Sequence, residues 1–142
     1  MTNAELILEA KKARTHAYAP YSHHMVGAAL LTKGGKLYHG CNIENAAYGP
    51  TNCAERTAFF KAVYEGERQF SKIAIVGGME GTDGNTPCAP CGVCRQVMME
   101  FCDPDTFEIV LVDGDEQQVY ILKELLPLGF GPENLKKMNI DI

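Results

Sequence analysis

Apolar residues recur along this chain in two rhythms, and the change from one to the other marks its elements. Leu6, Ile7, Ala10, Ala13 and Ala17 follow a roughly helical recurrence behind Thr2 and Glu5, a spacing that reads as a capping box. This predicts a first helix that stops near Ala19, because Pro20 disfavours the α conformation in the residue before it. Residues 26–32 and 36–43 are rich in strand formers on either side of Gly34-Gly35. They predict a β-hairpin whose second strand ends in the polar rim Asn42-Ile43-Glu44-Asn45. Asn52 with Glu55 then opens a second helix, with apolar positions at Ala54, Ala58, Phe59, Ala62 and Val63 before Gly66 punctuates it.

Further on, residues 72–77 include the continuous apolar run Ile-Ala-Ile-Val expected of a fully buried strand. A loop follows over 77–90. Val93, Val97, Met98 and Phe101 give a third helix its inner face, and residues 107–112 form another buried strand. Asp113-Gly114-Asp115 is turn chemistry, so residues 118–122 return as a last strand before a short helix around Glu124-Leu125-Leu126. A hairpin followed by β-α-β units implies an α/β fold in which helices cover a mixed sheet of five strands. The 142 residues suit one domain spanning 1–142, with 46% hydrophobic residues for a core and no linker, repeat or low-complexity stretch.

Charge narrows the partners. Thirteen basic against 18 acidic residues give a net charge of -5 and an isoelectric point near 5.3, which disfavours a surface built to grip phosphate backbones. The expected partner is a small molecule, not nucleic acid. No apolar run reaches membrane-spanning length, and the Met1-Thr2-Asn3-Ala4-Glu5 start lacks the charged and apolar regions of a signal peptide. A cytoplasmic protein without membrane contact is expected. The six cysteines are clustered, which favours reduced thiols and metal binding over a disulfide framework.

Their chemistry centres on Cys53-Ala54-Glu55 and the later Pro90-Cys91-Gly92-Val93-Cys94. Cys53, Cys91 and Cys94 supply three thiolates, and Glu55 is a carboxylate not needed as a ligand. Catalytic zinc sites keep a position open where structural ones close it with a fourth protein ligand. Three ligands beside a spare acid therefore point to metal-assisted hydrolysis, and the pattern is that of zinc-dependent base deaminases. Cys53 and Cys94 are each expected in the first turn of a helix, with Cys91 just before the second. There, unpaired N–H groups and the helix dipole favour thiolates. A difficulty accompanies this placement, because residues two apart on a regular helix point about 200° away from each other. Glu55 also has a structural reading, as the residue completing a capping box with Asn52. Pro87-Cys88-Ala89-Pro90-Cys91 offers a rival ligand register, but only the later pair opens an amphipathic helix. Cys88 is then a spare loop thiol, and Cys41 and Cys102 are small core or helix-end residues.

Around these ligands lie Tyr21-Ser22, Val26-Gly27-Ala28-Ala29-Leu30, Gly40-Cys41-Asn42-Ile43-Glu44-Asn45-Ala46, Cys53-Ala54-Glu55-Arg56-Thr57-Ala58, Pro90-Cys91-Gly92-Val93-Cys94-Arg95-Gln96-Val97-Met98 and Glu124-Leu125-Leu126-Pro127. In order and spacing, these segments resemble the small homotetrameric zinc-dependent cytidine deaminases. The resemblance implies a three-layer α/β/α sandwich, one Zn²⁺ per subunit, and hydrolysis of cytidine and 2′-deoxycytidine to the uridines with release of ammonia, as in pyrimidine salvage. It implies that Glu55 shuttles the proton and that Arg56, and less strongly Arg95, stands behind the ligand sulfurs. Asn42 and Glu44 match the family's ribose-binding pair, on one face of a strand. Ala54 offers its backbone N–H to the base carbonyl, while Ala46, Ala47, Tyr48 and Phe130 enter a neighbouring subunit's pocket. His24 departs from the family, which usually has a phenylalanine there to pack on the pyrimidine. Two other readings stand beside this one. A binding module with structural zinc requires a fourth protein ligand, such as Cys88, and a deaminase of modified nucleosides or of a polynucleotide would share the same centre.

Overall fold

A computed structural model describes residues 1–142. Its elements, in order, are α1 (Asn3–Arg14), β1 (His24–Thr32), β2 (Leu37–Cys41), α2 (Ala54–Tyr64), β3 (Phe70–Met79), α3 (Gly92–Phe101), β4 (Glu108–Asp113), β5 (Glu116–Ile121), α4 (Leu122–Leu125) and α5 (Pro132–Lys137). The five strands form one mixed sheet in the order β2-β1-β3-β4-β5. Only β3 and β4 are parallel, and they are joined through α3.

Because side chains alternate across a strand, successive residues of the three inner strands feed two different cores. Ala28, Leu30, Ile73, Ile75, Ile109 and Leu111 face Ala58, Phe59, Ala62 and Met98, on the side covered by α2 and α3. Ala29, Leu31, Ala74, Val76, Val110 and Val112 face Leu6, Ile7 and Ala10 of α1. The result is the expected three-layer sandwich. Phe59 anchors the larger core, fully buried, with Phe70 edge-on at 5.1 Å and Phe101 stacked at 6.3 Å between ring centroids. Two glycines set how closely the layers meet. A Cβ on Gly27 would lie 2.1 Å from the Ala10 carbonyl oxygen, and one on Gly40 would lie 2.2 Å from that of Ala54. Glycine inside a strand here marks a helix backbone resting directly on the sheet.

Several boundaries differ from those read in the sequence. The Thr2–Glu5 capping box forms, but α1 ends at Arg14 and not near Ala19. The chain leaves the helix early so that Tyr18 can pair with Asn42 and Glu44, its N–H donating to Asn42 O and its carbonyl accepting from Glu44 N. β1 starts at His24, two residues before the expected 26, because His24 and Met25 still pair with Met79 and Gly78. β2 stops at Cys41, short of the expected Ile43, which forms only isolated bridges to Tyr18 and Asn52. β3 runs beyond residues 72–77 at both ends, since β1 supplies partners from Phe70 to Met79. β5 starts at Glu116 because Asp113 pairs with Glu116 around a tight turn whose Gly114 has φ +60°. Its first residues are polar and exposed, so no apolar signal announces them. Val93, expected on the inner face of α3, is exposed, and Cys94 takes that place. α5 has no buried residue and hence no apolar period to read.

Candidate metal centre and nucleoside site

Both ligand-bearing segments end at helix N-caps. Cys53 caps α2 and Cys91 caps α3, each in extended backbone conformation (φ -75°, ψ 156° and φ -67°, ψ 167°), and neither makes a side-chain capping hydrogen bond. Cys53 therefore stands just outside the first turn where it was expected, while Cys94 sits in the first turn of α3. The shift removes the geometric difficulty noted above. An extended Cys53 is not on the helical wheel, so its sulfur and the inward-turned Glu55 can face the same region. The capping box between Asn52 and Glu55 does not form: the Asn52 amide donates to Thr57 Oγ1 at 3.1 Å, and Glu55 is only 4% exposed.

The three sulfurs converge. Cys53 Sγ lies 3.8 Å from Cys91 Sγ, which lies 3.6 Å from Cys94 Sγ, and all three are within 4.8 Å of one another. Zinc–sulfur bonds of roughly 2.3 Å at tetrahedral angles place sulfurs about 3.8 Å apart, so the observed spacing fits three corners around one zinc ion. No histidine, aspartate or glutamate joins the group, and neither does Cys88. Cys88 is half-buried elsewhere: a Cβ on Gly77 would meet its sulfur at 2.8 Å and His24 Cε1 at 3.3 Å. The fourth ligand required by a structural-zinc reading is thus not found there.

Without metal, the cluster shares protons unevenly. Cys53 is drawn down to about 5, first because Cys94 donates to its sulfur and then through Arg56 and Cys91, against the opposing effect of burial. Cys94 is pushed up for the complementary reason, because Cys53 holds its proton, and burial adds to this. Arg56 Nη2 donates to Cys53 Sγ at 3.3 Å, and the Arg56 Nε is buried without a partner. Burial raises the Glu55 carboxyl to about 7, its own backbone N–H and Cys94 opposing and the negative Cys53 reinforcing. A carboxyl held near neutrality can both take and give a proton. Arg95 does not reach the sulfurs. It donates to Pro90 O at 2.9 Å and Leu125 O at 3.0 Å, clamping the approach to α3 against α4.

A second group gathers where β1 begins. Asn42 accepts from Val26 N at 2.9 Å and donates to His24 O at 2.8 Å, gripping the strand on both sides of Met25. Glu44 accepts from the backbone N–H groups of Tyr21 and Ser22 at 3.0 and 3.1 Å and from the Ser22 hydroxyl. These contacts hold its carboxylate below the usual range, the Ser22 hydroxyl first. Asn42 and Glu44 thus lie beyond the end of β2, not within it as expected, and both hold main chain. Glu44 also lines a cavity of about 370 Å³ with Tyr21, Ser22, Tyr48 and Thr51. Tyr48 packs edge-on against Tyr21 in its own chain, with centroids 6.3 Å apart. Residues 45–50 are exposed throughout, as is Phe130. A separate cavity of about 440 Å³ between α1, β2 and α2 contains none of these residues. Ser22, which orients Glu44 and also accepts from His24 N at 3.0 Å, was not singled out for a role from sequence. No spacing rule would have found it.

The chain matches a model of the cytidine and deoxycytidylate deaminase zinc-binding region over residues 1–109. It is 53% identical to a cytidine deaminase of Sporosarcina psychrophila, over 92% of this chain and 93% of that one. It is 50% identical to one of Halalkalibacterium halodurans, over 95% and 98%. Among solved structures, a cytidine deaminase from Burkholderia pseudomallei superposes with a TM-score of 0.83 at 52% identity, covering 92% of this chain and all of that one. One from Mycobacterium tuberculosis gives 0.79 at 35% identity, over 92% and 98%. Convergent thiolates, a buried acid and this extent of similarity agree: the chain belongs to the cytidine and deoxycytidylate deaminase family.

Proposed function

We propose that this protein is a zinc-dependent cytidine deaminase, hydrolysing cytidine and 2′-deoxycytidine to uridine and 2′-deoxyuridine with release of ammonia in pyrimidine salvage. The observation that carries this reading is the triangle of Cys53, Cys91 and Cys94 sulfurs with one buried carboxyl, Glu55, beside it. Zinc held by these cysteines supplies the Lewis acidity that makes water a nucleophile at neutral pH. Glu55 takes a proton from the attacking water and gives it to the ring N3 as C4 gains a hydroxyl. It then takes the proton of that hydroxyl and gives it to the C4 amine, which leaves as ammonia while the C4 carbonyl forms. Arg56 offsets the negative charge that three thiolates leave around a divalent ion, by donating to Cys53.

Ala54, the first residue of α2, has no intrahelical acceptor for its N–H and offers it to the pyrimidine carbonyl. His24 packs against the base. Asn42 retains one amide N–H, and Glu44 one acceptor position, after their main-chain contacts and the Ser22 hydroxyl are counted, and these receive the 3′-hydroxyl. The exposed Ala46 and Tyr48, and Phe130 at 52% exposure, complete the pocket of a neighbouring subunit in a homotetramer. The protein works in the cytoplasm, a reading supported by six unpaired thiols, and no helix is long and apolar enough to cross a membrane.

An absorbance assay of zinc-loaded protein across cytidine, deoxycytidine, cytosine, adenosine and CMP tests the reading. Turnover of the two nucleosides alone is expected, with Glu55→Gln retaining zinc and losing roughly 10²- to 10⁴-fold in kcat. A Glu55→Gln enzyme with zinc bound and normal turnover refutes it.

A further inference from the structure

Arg14 ends α1, and its guanidinium lies between the ends of two strands. Nε donates to Met25 O on β1 at 2.9 Å, while Nη2 donates to Gly78 O and Met79 O on β3, both at 2.9 Å. Nη1 reaches Thr82 O at 3.0 Å in the loop that follows, and Nη2 comes within 3.4 Å of Thr82 Oγ1. All of these partners are carbonyls and one hydroxyl. A flat cation with five donors in a fixed fork suits such a task, and an ammonium does not.

The loop is shaped around this group. Gly84, at φ +75°, approaches so closely that a Cβ there would lie 3.0 Å from Arg14 Cδ. Gly78 would likewise place a Cβ 2.9 Å from Thr82 Oγ1. What Arg14 fixes is the start of β1 and the end of β3, next to His24 and Gly77. Met25 lies between His24 and Val26, whose backbone groups Asn42 grips from the β2 side. Residues 24–26 are therefore held from two directions, by an amide and by a guanidinium. On β3, Gly78 follows Gly77, against which the His24 ring and the Cys88 thiol both rest.

Building on the deaminase reading above, we propose that Arg14 is a positioning residue for nucleoside binding, holding the β1 and β3 ends so that His24 and the Gly77 floor meet the pyrimidine. It touches neither substrate nor metal. Its removal weakens ground state and transition state alike, so the loss falls on KM and not on kcat.

The experiment compares wild type, Arg14→Met, Arg14→Lys and a control, Arg68→Met, whose arginine binds Val63 O and Glu67 O at the far end of α2. Zinc content, kcat and KM for cytidine, and thermal midpoint are measured for each. The expected result for Arg14→Met is KM raised about tenfold, kcat within about threefold and full zinc, with Arg14→Lys intermediate and Arg68→Met at the wild-type KM. A lowered midpoint with KM unchanged would make Arg14 a fold residue only and overturn the proposal, and so would a fall confined to kcat or a loss of zinc. If Arg14→Met fails to fold, Arg14→Lys decides: KM at least threefold higher supports the proposal, and an unchanged KM overturns it. Failure of the wild type itself to deaminate cytidine would instead remove the functional reading.

Discussion

Gly40→Ala tests whether the sheet sets the position of α2, the helix that carries Glu55 and is capped by Cys53. The added methyl carbon would stand 2.2 Å from Ala54 O and 2.6 Å from Ala58 N, where ordinary contact begins near 3.4 Å. The start of α2 would have to retreat by about 1 Å, the difference between 3.4 and 2.2 Å less some relief in the neighbours. Overpacking of this kind costs about 1–3 kcal/mol, or a fall in thermal midpoint of roughly 4–12 °C for a chain of this size. The retreat carries Cys53, Glu55 and Arg56 with it, and a displacement of that order far from the chemistry can remove about 10²-fold in rate. Differential scanning calorimetry at fixed protein concentration and cytidine turnover by absorbance read the two effects. Gly34→Ala is the control, since a Cβ there meets only Thr32 Oγ1 at 3.8 Å. A Gly40→Ala protein with wild-type kcat would refute the argument that α2 rests on this glycine and owes its catalytic geometry to it.

Three further outcomes are expected. Arg56→Gln removes the cation donating to Cys53, and zinc affinity measured by chelator competition should fall about 10- to 100-fold. Cys88→Ser should keep one zinc per subunit while Cys94→Ser loses it, as read by metal analysis, because only Cys94 belongs to the sulfur triangle. Glu44 holds Tyr21 and Ser22 as a carboxylate with a lowered pKa. Protection of those two amides from hydrogen exchange, corrected for intrinsic rates, should therefore be complete above about pH 4.5 and decline as pH falls through the lowered value.

The layers were legible because β1, β3 and β4 carry unbroken apolar runs, and the metal centre because cysteine ligands come in fixed spacings. Elements without either signal leave little trace in the sequence. β5 begins in exposed Glu116-Gln117, followed by the polar Gln118, and α5 buries nothing, so hydropathy is silent on both. Pro20 alone predicts a stop near Ala19, whereas α1 ends at Arg14 and the Tyr18 pairings beyond it join residues more than twenty positions apart. Arg56 and, less strongly, Arg95 are expected behind the ligand sulfurs, yet the two side chains point to different partners, a sulfur for Arg56 and carbonyls for Arg95. Arg14 belongs to no motif at all. Its role depends on three strand and loop ends meeting in space, which one-dimensional spacing does not encode.

Two of the three ligand cysteines occupy positions where a serine or aspartate would ordinarily tie down the opening turn of a helix. The ion must then serve as the missing knot for both turns, and metal uptake becomes part of how the protein matures. Starved of zinc, such a chain would come undone first at the mouths of α2 and α3, offering proteases a cut beside its own reactive centre. Cellular zinc supply would then govern how long each molecule survives as well as whether it works.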